Sequence, residues 1–342
     1  MNSRKITLSI LDQSPVRTGG TAQQALQESF QLAKRADELG YYRYWLSEHH
    51  NTNSLAGSAP EVLIAYLAGQ TKNLRFGSGG IMLPNHSALK VAENFRTLES
   101  LFPGRIDLGI GRAPGGDRIT ASILNPSNNF NEQDFVQQLI DLQHYLEIPN
   151  DFDNYQEKVK AIPLAETAPE LWLLSSSGQS GLFAAHFGMA FSFAHFINPV
   201  DGPASVKAYR ERFKPSAVLH EPKVNVGLFV MCAETDEKAA ELQAIMDVQF
   251  LRIERAVSGG IPSFEDIKDY QFTEQEYARV KFNRQRMVSG TPQKVKEKLL
   301  KIADEYDVDE LVAVTITHDF ADRLKSYELL AEAFEIAKPV SL

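Results

Sequence analysis

The sequence of 342 residues is poor in cysteine and in long apolar runs. Cys232 is the single cysteine, so no disulfide can form within the chain, and its apolar neighbours predict a buried thiol. No uncharged apolar run approaches the roughly 18 residues that a membrane-spanning helix needs. The first residues lead into a strand-like segment without the apolar core of a signal peptide. We therefore expect a cytoplasmic protein that does not bind a membrane.

Positive charge is also in deficit. Lysine and arginine number 35 against 44 aspartate and glutamate residues, which gives a net charge of −9. A negative surface repels a phosphate backbone, so we expect no nucleic-acid partner. Apolar residues make up 43% and charged residues 23% of the chain, which is typical of a globular protein that acts on small molecules.

Three common catalytic signatures are missing. The chain has no Gly-x-Ser-x-Gly elbow, which argues against a serine hydrolase. His49 and His50 are adjacent, unlike the i, i+4 pair of a helical zinc motif, and no second ligand cluster lies nearby in sequence, so we expect no metal. The segment 109–114 starts like a dinucleotide fingerprint, but Pro114 replaces the third glycine and no helix follows directly. A Rossmann domain is therefore not expected.

Strand-like segments alternate with helical segments along the whole chain. This alternation is the βαβ pattern of a parallel sheet. The chain contains eight predicted strands, and strands occur near both chain ends. This number and placement predict a single (β/α)8 TIM-barrel domain over 1–342, with a doubly wound open sheet as the alternative. The predicted strands are 6–10, 42–48, 74–83, 106–110, 171–174, 189–196, 224–232 and 310–316.

Two stretches break this rhythm, and we expect both to be loop insertions. The first follows strand four and contains a polar run at Asp151–Asn154. The second follows strand seven and covers Gly259–Val288. Regular helices flank the strands elsewhere, and the first of them is predicted to begin after Thr21 and to end at Gly40.

Side chains that can act as acids or bases follow several predicted strands. The active sites of barrel enzymes lie at these strand ends. Glu48, His49 and His50 follow the second strand and offer an acid and two imidazoles. The alternative reading is that these are structural histidines in the barrel mouth. Four further histidines are predicted to be structural or exposed: His86, His144, His186 and His220.

An anion site is predicted after strand five. Ser175–Gly181 supplies hydroxyl groups and opens a helix, whose dipole and free N–H groups favour an anion. A helix cap with a flexible turn is the alternative. Arg112 ends the fourth strand, and a buried-strand arginine needs an anionic or carbonyl partner. A salt bridge to a loop carboxylate would satisfy Arg112 equally well.

Six segments of the chain form a recognisable set: Glu48–His50, Gly79–Pro84, Ala92–Glu93, Gly104–Arg112, Ser177–Gly188 and Gly290–Pro292. Taken together, they resemble the bacterial luciferase-like flavin monooxygenases. The resemblance implies a (β/α)8 barrel, often homodimeric, that binds reduced FMN delivered by a separate flavin reductase. O2 would add to the flavin as a C4a-hydroperoxide, which oxygenates a small organic substrate.

The resemblance also implies roles for individual residues. His49 would be the catalytic imidazole near the flavin, and Glu48 would orient the site. Gly79 and Gly80 would be joined by a cis peptide bond against the isoalloxazine ring. The segment 259–288 would act as a mobile lid. The other residues that would bind the cofactor or its phosphate are Met82, Glu93, Arg112, Ser177, Gly178 and Ser180.

Two other functions are compatible with the same resemblance. One is an oxidoreductase on this fold that uses the deazaflavin F420 and no O2. The other is a flavin-binding protein without turnover, although the joint presence of His49, Glu48 and Arg112 argues against it. Gly111 stands where luciferase has a reactive cysteine, so light emission is not expected.

Overall fold

The computed structural model describes residues 4–149, 158–257 and 259–336, so the predicted polar run Asp151–Asn154 lies outside the described residues. Eight parallel strands close into a barrel in the order β1–β7 and then β9, which pairs again with β1. The predicted (β/α)8 barrel is therefore confirmed. Its strands are β1 (Thr7–Asp12), β2 (Arg43–Leu46), β3 (Arg75–Met82), β4 (Ile106–Gly111), β5 (Glu170–Ser175), β6 (Ala190–Ala194), β7 (Val224–Cys232) and β9 (Glu310–Val314).

A ninth strand, β8 (Met287–Gly290), lies outside the barrel ring. The long strand β7 pairs with β6 and β9 along its first part and with β8 along Phe229–Cys232. The predicted insertion after strand seven, 259–288, is present, and it contains a helix and the start of β8 rather than loop alone. A four-residue strand carries too few alternations to be recognised by its pattern.

Helices cover the outside of the barrel. Thr21 caps the first of them by accepting a hydrogen bond from the Gln24 N–H at 3.1 Å, and Gly40 ends it with φ 91°, as predicted. Within the described residues, no helix is both long and apolar enough to cross a bilayer. The helices are α1 (Ala22–Leu39), α2 (Pro60–Ala68), α3 (Ala88–Leu101), α4 (Arg118–Leu124), α5 (Glu132–Tyr145), α6 (Gly178–Phe187), α7 (Gly202–Arg212), α8 (Asp236–Glu254), α9 (Glu274–Asn283), α10 (Pro292–Tyr306) and α11 (Phe320–Ala333).

Buried ion pairs close the N-terminal end of the barrel. The fully buried Arg43 contacts Asp107 at 2.7 Å and Glu310 at 2.7 Å, and the Trp45 indole N–H donates to Asp107 at 2.9 Å. These acids neutralise a charge that would be costly to bury alone. Because this end is filled, a ligand can enter the barrel from the opposite end, where the strands finish.

Candidate active site

A cavity of about 300 Å³ lies at the C-terminal ends of the barrel strands. The residues that line it fall into an apolar group and a polar group. The apolar part is lined by Leu11, Trp45, Leu174, Phe196, Ile197 and Val312, and the polar part by Arg112, Ser175, Ser176, Ser177 and Ser180. Such a cavity suits a ligand that joins a flat apolar body to an anionic group.

Glycines form one side of the apolar part. Gly79 and Gly80 both line the cavity and are joined by a cis peptide bond, as the resemblance implied. A Cβ atom on Gly79 would lie 2.7 Å from Leu11 Cδ1, and one on Gly111 would lie 2.8 Å from Met82 Cε. Larger residues at these positions would displace side chains that line the cavity. The absence of a side chain at Gly79 and at Gly111 therefore preserves the shape of this wall.

The polar part is built on the start of helix α6. Ser177 is the N-cap residue, and its side chain makes no capping hydrogen bond, so the first N–H groups of α6 have no side-chain acceptor at the cap. The Ser177 hydroxyl instead contacts Ser175 Oγ at 3.2 Å, and Asn198 donates to the Ser176 carbonyl at 3.0 Å. A helix N-terminus with free donors attracts an anion.

Arg112 lies beside this helix start. Its Nη1 donates to Gln179 Oε1 at 2.9 Å, and the Gln179 amide in turn donates to Glu132. Among the described residues, no carboxylate forms an ion pair with Arg112, so the salt bridge considered as an alternative is not formed there. The Arg112 charge is thus oriented by a neutral amide and is available to a bound anion.

Glu48 is a fully buried carboxylate that hydrogen-bonds with His50 and with three residues of the segment 82–86. Its Oε2 accepts from the Met82 N–H at 2.8 Å. Its Oε1 lies 2.7 Å from His50 Nε2, 2.9 Å from His86 Nε2 and 3.3 Å from Asn85 Nδ2. We call these five residues the Glu48 cluster. Met82 is the member that also lines the cavity.

The charges of the Glu48 cluster follow from these contacts. Burial alone would raise the pKa of Glu48, but the hydrogen bonds from His86, His50 and the Met82 N–H outweigh burial and lower it. Burial alone would lower the pKa of His86, but its hydrogen bond to Glu48 and the nearby negative charges raise it. The pair therefore favours an ionised Glu48 beside a protonated His86.

His49 makes its hydrogen bonds with residues outside the Glu48 cluster. Its ring Nδ1 lies 3.1 Å from Ser47 Oγ, and its backbone N–H donates to the Gly57 carbonyl at 2.9 Å. Burial lowers the pKa of His49 to about 4, with a small opposing effect of Glu48. The imidazole is therefore neutral near pH 7 and able to accept a proton.

The structure brings most of the predicted cofactor-binding residues together. Gly178 starts α6 at the polar end of the cavity, and Glu93 lies on α3, where its carboxylate is 3.5 Å from Lys90 Nζ. Glu48, His49, Glu93 and Gly178 are not part of the cavity wall formed by the described residues. The predicted residues that line it are Gly79, Gly80, Met82, Arg112, Ser177 and Ser180.

Sequence reasoning missed the partners of two predicted residues. His86 was predicted to be structural or exposed, yet it contacts the Glu48 carboxylate, and Gln179 orients Arg112. The position of His86 just after β3, at the active-site end of a barrel, was a usable signal. The contact of Gln179 with a residue 67 positions away had no sequence signal.

Fold and site together define a (β/α)8 barrel with a cavity at the strand ends that is lined by apolar residues, an arginine and serines. The chain belongs to the luciferase-like monooxygenase family, whose sequence profile matches residues 6–309. This membership supports an oxidoreductase.

Known proteins of similar length match nearly the whole chain. It is 49% identical to the uncharacterized protein YwcH of Bacillus subtilis, over 96% of this chain and 99% of that protein. It is 33% identical to N-acetyl-S-alkylcysteine monooxygenase of Bacillus subtilis, over 97% and 99%. The crystal structure of apo-MsnO8 is similar with a TM-score of 0.91 and 37% identity, over 98% and 100%.

More distant structures share the fold. The oxygenating constituent of 3,6-diketocamphane monooxygenase from Pseudomonas putida, in complex with FMN, has a TM-score of 0.71 and 21% identity, over 98% of this chain and 100% of that one. An F420-dependent secondary alcohol dehydrogenase has a TM-score of 0.69 and 12% identity, over 96% and 99%. At these identities the similarity shows the fold alone.

Proposed function

We propose that the protein is a flavin-dependent monooxygenase that binds reduced FMN and uses O2 to oxygenate a small organic substrate. The observation that carries this proposal is the two-part cavity, in which an apolar slot ends at an arginine and an uncapped helix start. The FMN complex of a monooxygenase on the same fold supports it. A separate flavin reductase would supply the cofactor, and the working form would be a homodimer.

The residues present fit FMN. Arg112, Ser177 and the first N–H groups of α6 would hold the phosphate. The glycine wall at Gly79 and Gly80 and the apolar residues opposite it would hold the isoalloxazine ring. Bound reduced FMN would supply the electrons that activate O2.

The chain itself would contribute orientation, exclusion of water and one proton acceptor. The apolar lining, which includes Trp45 and Val312, would keep water from the reacting centre. His49 is neutral near pH 7, and its Nδ1 is engaged with Ser47, so Nε2 is the nitrogen that would exchange a proton. Glu48 would act indirectly by holding the end of β3.

A second candidate is an F420-dependent oxidoreductase, which the shared fold of an F420-dependent dehydrogenase favours. The two cofactors differ in the reaction with O2 and in the groups beyond the ring. The same cavity could receive either ring system, so binding must be measured with both.

Anaerobic titration tests the proposal. Wild-type protein is titrated with reduced FMN and, in parallel, with reduced F420, and binding is followed by Trp fluorescence and by ultrafiltration. We expect saturable binding of reduced FMN, weakened in Arg112→Ala and unchanged in Arg212→Ala, which alters an exposed arginine on α7. Saturable binding of reduced F420 alone would replace the proposal with the second candidate. Binding of FMN without any effect on its reaction with O2 would indicate a non-catalytic flavin-binding protein.

A further inference from the structure

The Glu48 cluster joins the ends of three neighbouring strands. Glu48 follows β2, Met82 ends β3, and the His50 N–H donates to the Gly115 carbonyl at 3.0 Å in the loop after β4. Asn85 links the same loop by donating to the Pro114 carbonyl at 2.8 Å. The cluster therefore contacts both the cavity wall at Met82 and the loop that follows Arg112.

We propose that His86 is a positioning residue, which acts through Glu48 to hold the end of β3 and the loop after Arg112 in the arrangement that binds the cofactor. Protonated His86 would favour this arrangement and neutral His86 would weaken it. The cofactor part of this inference rests on the proposed function, but the link from His86 to Met82 does not.

Burial makes the imidazoles important for Glu48. A fully buried carboxylate is costly unless positive or polar groups compensate it. Among the described residues, no lysine or arginine contacts Glu48, so His50 and His86 are its ionisable partners. His86 is the more exposed of the two, with 27% of its side chain accessible against 13% for His50, and it can exchange its proton with solvent.

Two further titratable groups, Glu61 and His49, lie near Glu48 and His86. On α2, the Glu61 carboxylate raises the pKa of His86 further, and its Oε1 accepts from Asn94 on α3 at 3.3 Å. His49, next in sequence to Glu48, has a pKa of about 4 and is neutral in the same pH range. His86 is the imidazole near Glu48 whose pKa is raised, so we expect its charge to change as the pH rises through that raised pKa.

The direction of the pH effect follows from these shifts. The pKa of Glu48 is lowered, so its carboxylate stays ionised as the pH falls toward mildly acidic values. The pKa of His86 is raised by Glu48, so the charge-assisted bond between them is complete below the pKa of a free imidazole and is lost as the pH rises through the raised value. Cofactor binding should weaken as the pH rises through that raised pKa.

The decisive variants are His86→Gln and Glu48→Gln, with His220→Gln as a control because His220 is exposed. The glutamine amide keeps a donor near the position of His86 Nε2 but does not titrate. Three quantities are measured between about pH 5.5 and pH 9. They are the His86 imidazole shifts by NMR and the exchange rate of the Met82 amide, both in cofactor-free protein, and the Kd for reduced FMN.

In the wild type we expect a raised His86 pKa and, above it, less protection of the Met82 amide, measured as its exchange rate relative to the intrinsic rate at the same pH. We also expect a Kd roughly ten-fold higher once one charge-assisted bond is lost. His86→Gln and Glu48→Gln should each abolish both pH dependences, because neither glutamine titrates, and His220→Gln should match the wild type. A wild-type pH profile in His86→Gln or in Glu48→Gln would overturn the inference. If reduced FMN fails to bind at any pH, the proposed function falls, while the measurements on cofactor-free protein still decide the role of His86.

Discussion

Arg112→Ala should weaken the binding of reduced FMN without unfolding the barrel. Arg112 ends β4 at the polar part of the cavity, and its hydrogen-bond partner is a neutral amide, Gln179. Removal of the guanidinium therefore leaves no buried carboxylate without a partner. The change removes a donor and a positive charge from the side of the cavity where the phosphate would bind.

The size of the effect follows from the bond that is lost. A hydrogen bond to a charged group contributes about 1.5–3 kcal/mol, which corresponds to a Kd roughly 10- to 150-fold higher. Arg112 is half-buried, so solvent screening places the expected value in the lower half of this range. Gln179→Ala keeps the charge and removes only its orientation, so we expect a severalfold effect.

Anaerobic equilibrium titration gives the Kd values, and thermal unfolding of the cofactor-free variants shows whether the fold is intact. Arg212→Ala is the matched control, and Arg112→Lys should recover part of the affinity because it restores the charge but not the planar fork. A Kd for Arg112→Ala within two-fold of the wild type would refute the assignment of this end of the cavity to the phosphate.

Three further predictions concern other residues. Arg323 is buried and lies 2.6 Å from the Asp12 carboxylate, so Asp12→Asn removes its countercharge and should lower the free energy of unfolding by about 3–5 kcal/mol. In the same denaturant titration Asp117→Asn should have a much smaller effect, because Asp117 is exposed. Burial alone would raise the pKa of Asp12, but Arg323 and its hydrogen bonds lower it, so the difference between wild type and Asp12→Asn should shrink as the pH falls through that lowered pKa. His49→Asn should bind reduced FMN within about three-fold of the wild type but lose roughly 10²- to 10⁴-fold in O2-dependent turnover; unchanged turnover would remove His49 from the mechanism. Cys232 is buried and its pKa is raised to about 12, so a thiol reagent should label it only after denaturation.

The periodic part of the fold was predictable from sequence because each barrel strand combines an apolar run with a turn signal. Val224–Cys232 was predicted with its observed bounds, and Thr21 and Gly40 act as the expected caps. The strand Met287–Gly290 was missed because its pairing with the end of β7 depends on tertiary structure. Local propensity carries no information about such a contact.

The candidate site was predictable in part. Residues of the cavity wall, such as Gly79 and Arg112, lie at strand ends and so follow from the barrel prediction. The position of His86 just after β3 placed it at the active-site end of the barrel, but its contact with Glu48 was not predictable. Met82, Asn85 and His86 lie 34 to 38 positions from Glu48 and carry no shared pattern. The prediction that His86 is structural or exposed did not name Glu48 as its partner.

The most direct test of the central claim is the reaction of the protein, loaded anaerobically with reduced FMN, with O2 in a stopped-flow spectrometer. The account predicts an absorbance phase that free reduced FMN lacks, with altered kinetics in His49→Asn and wild-type kinetics in Arg212→Ala. Oxidation of the bound flavin with the time course and spectra of free reduced FMN would contradict the assignment as a monooxygenase.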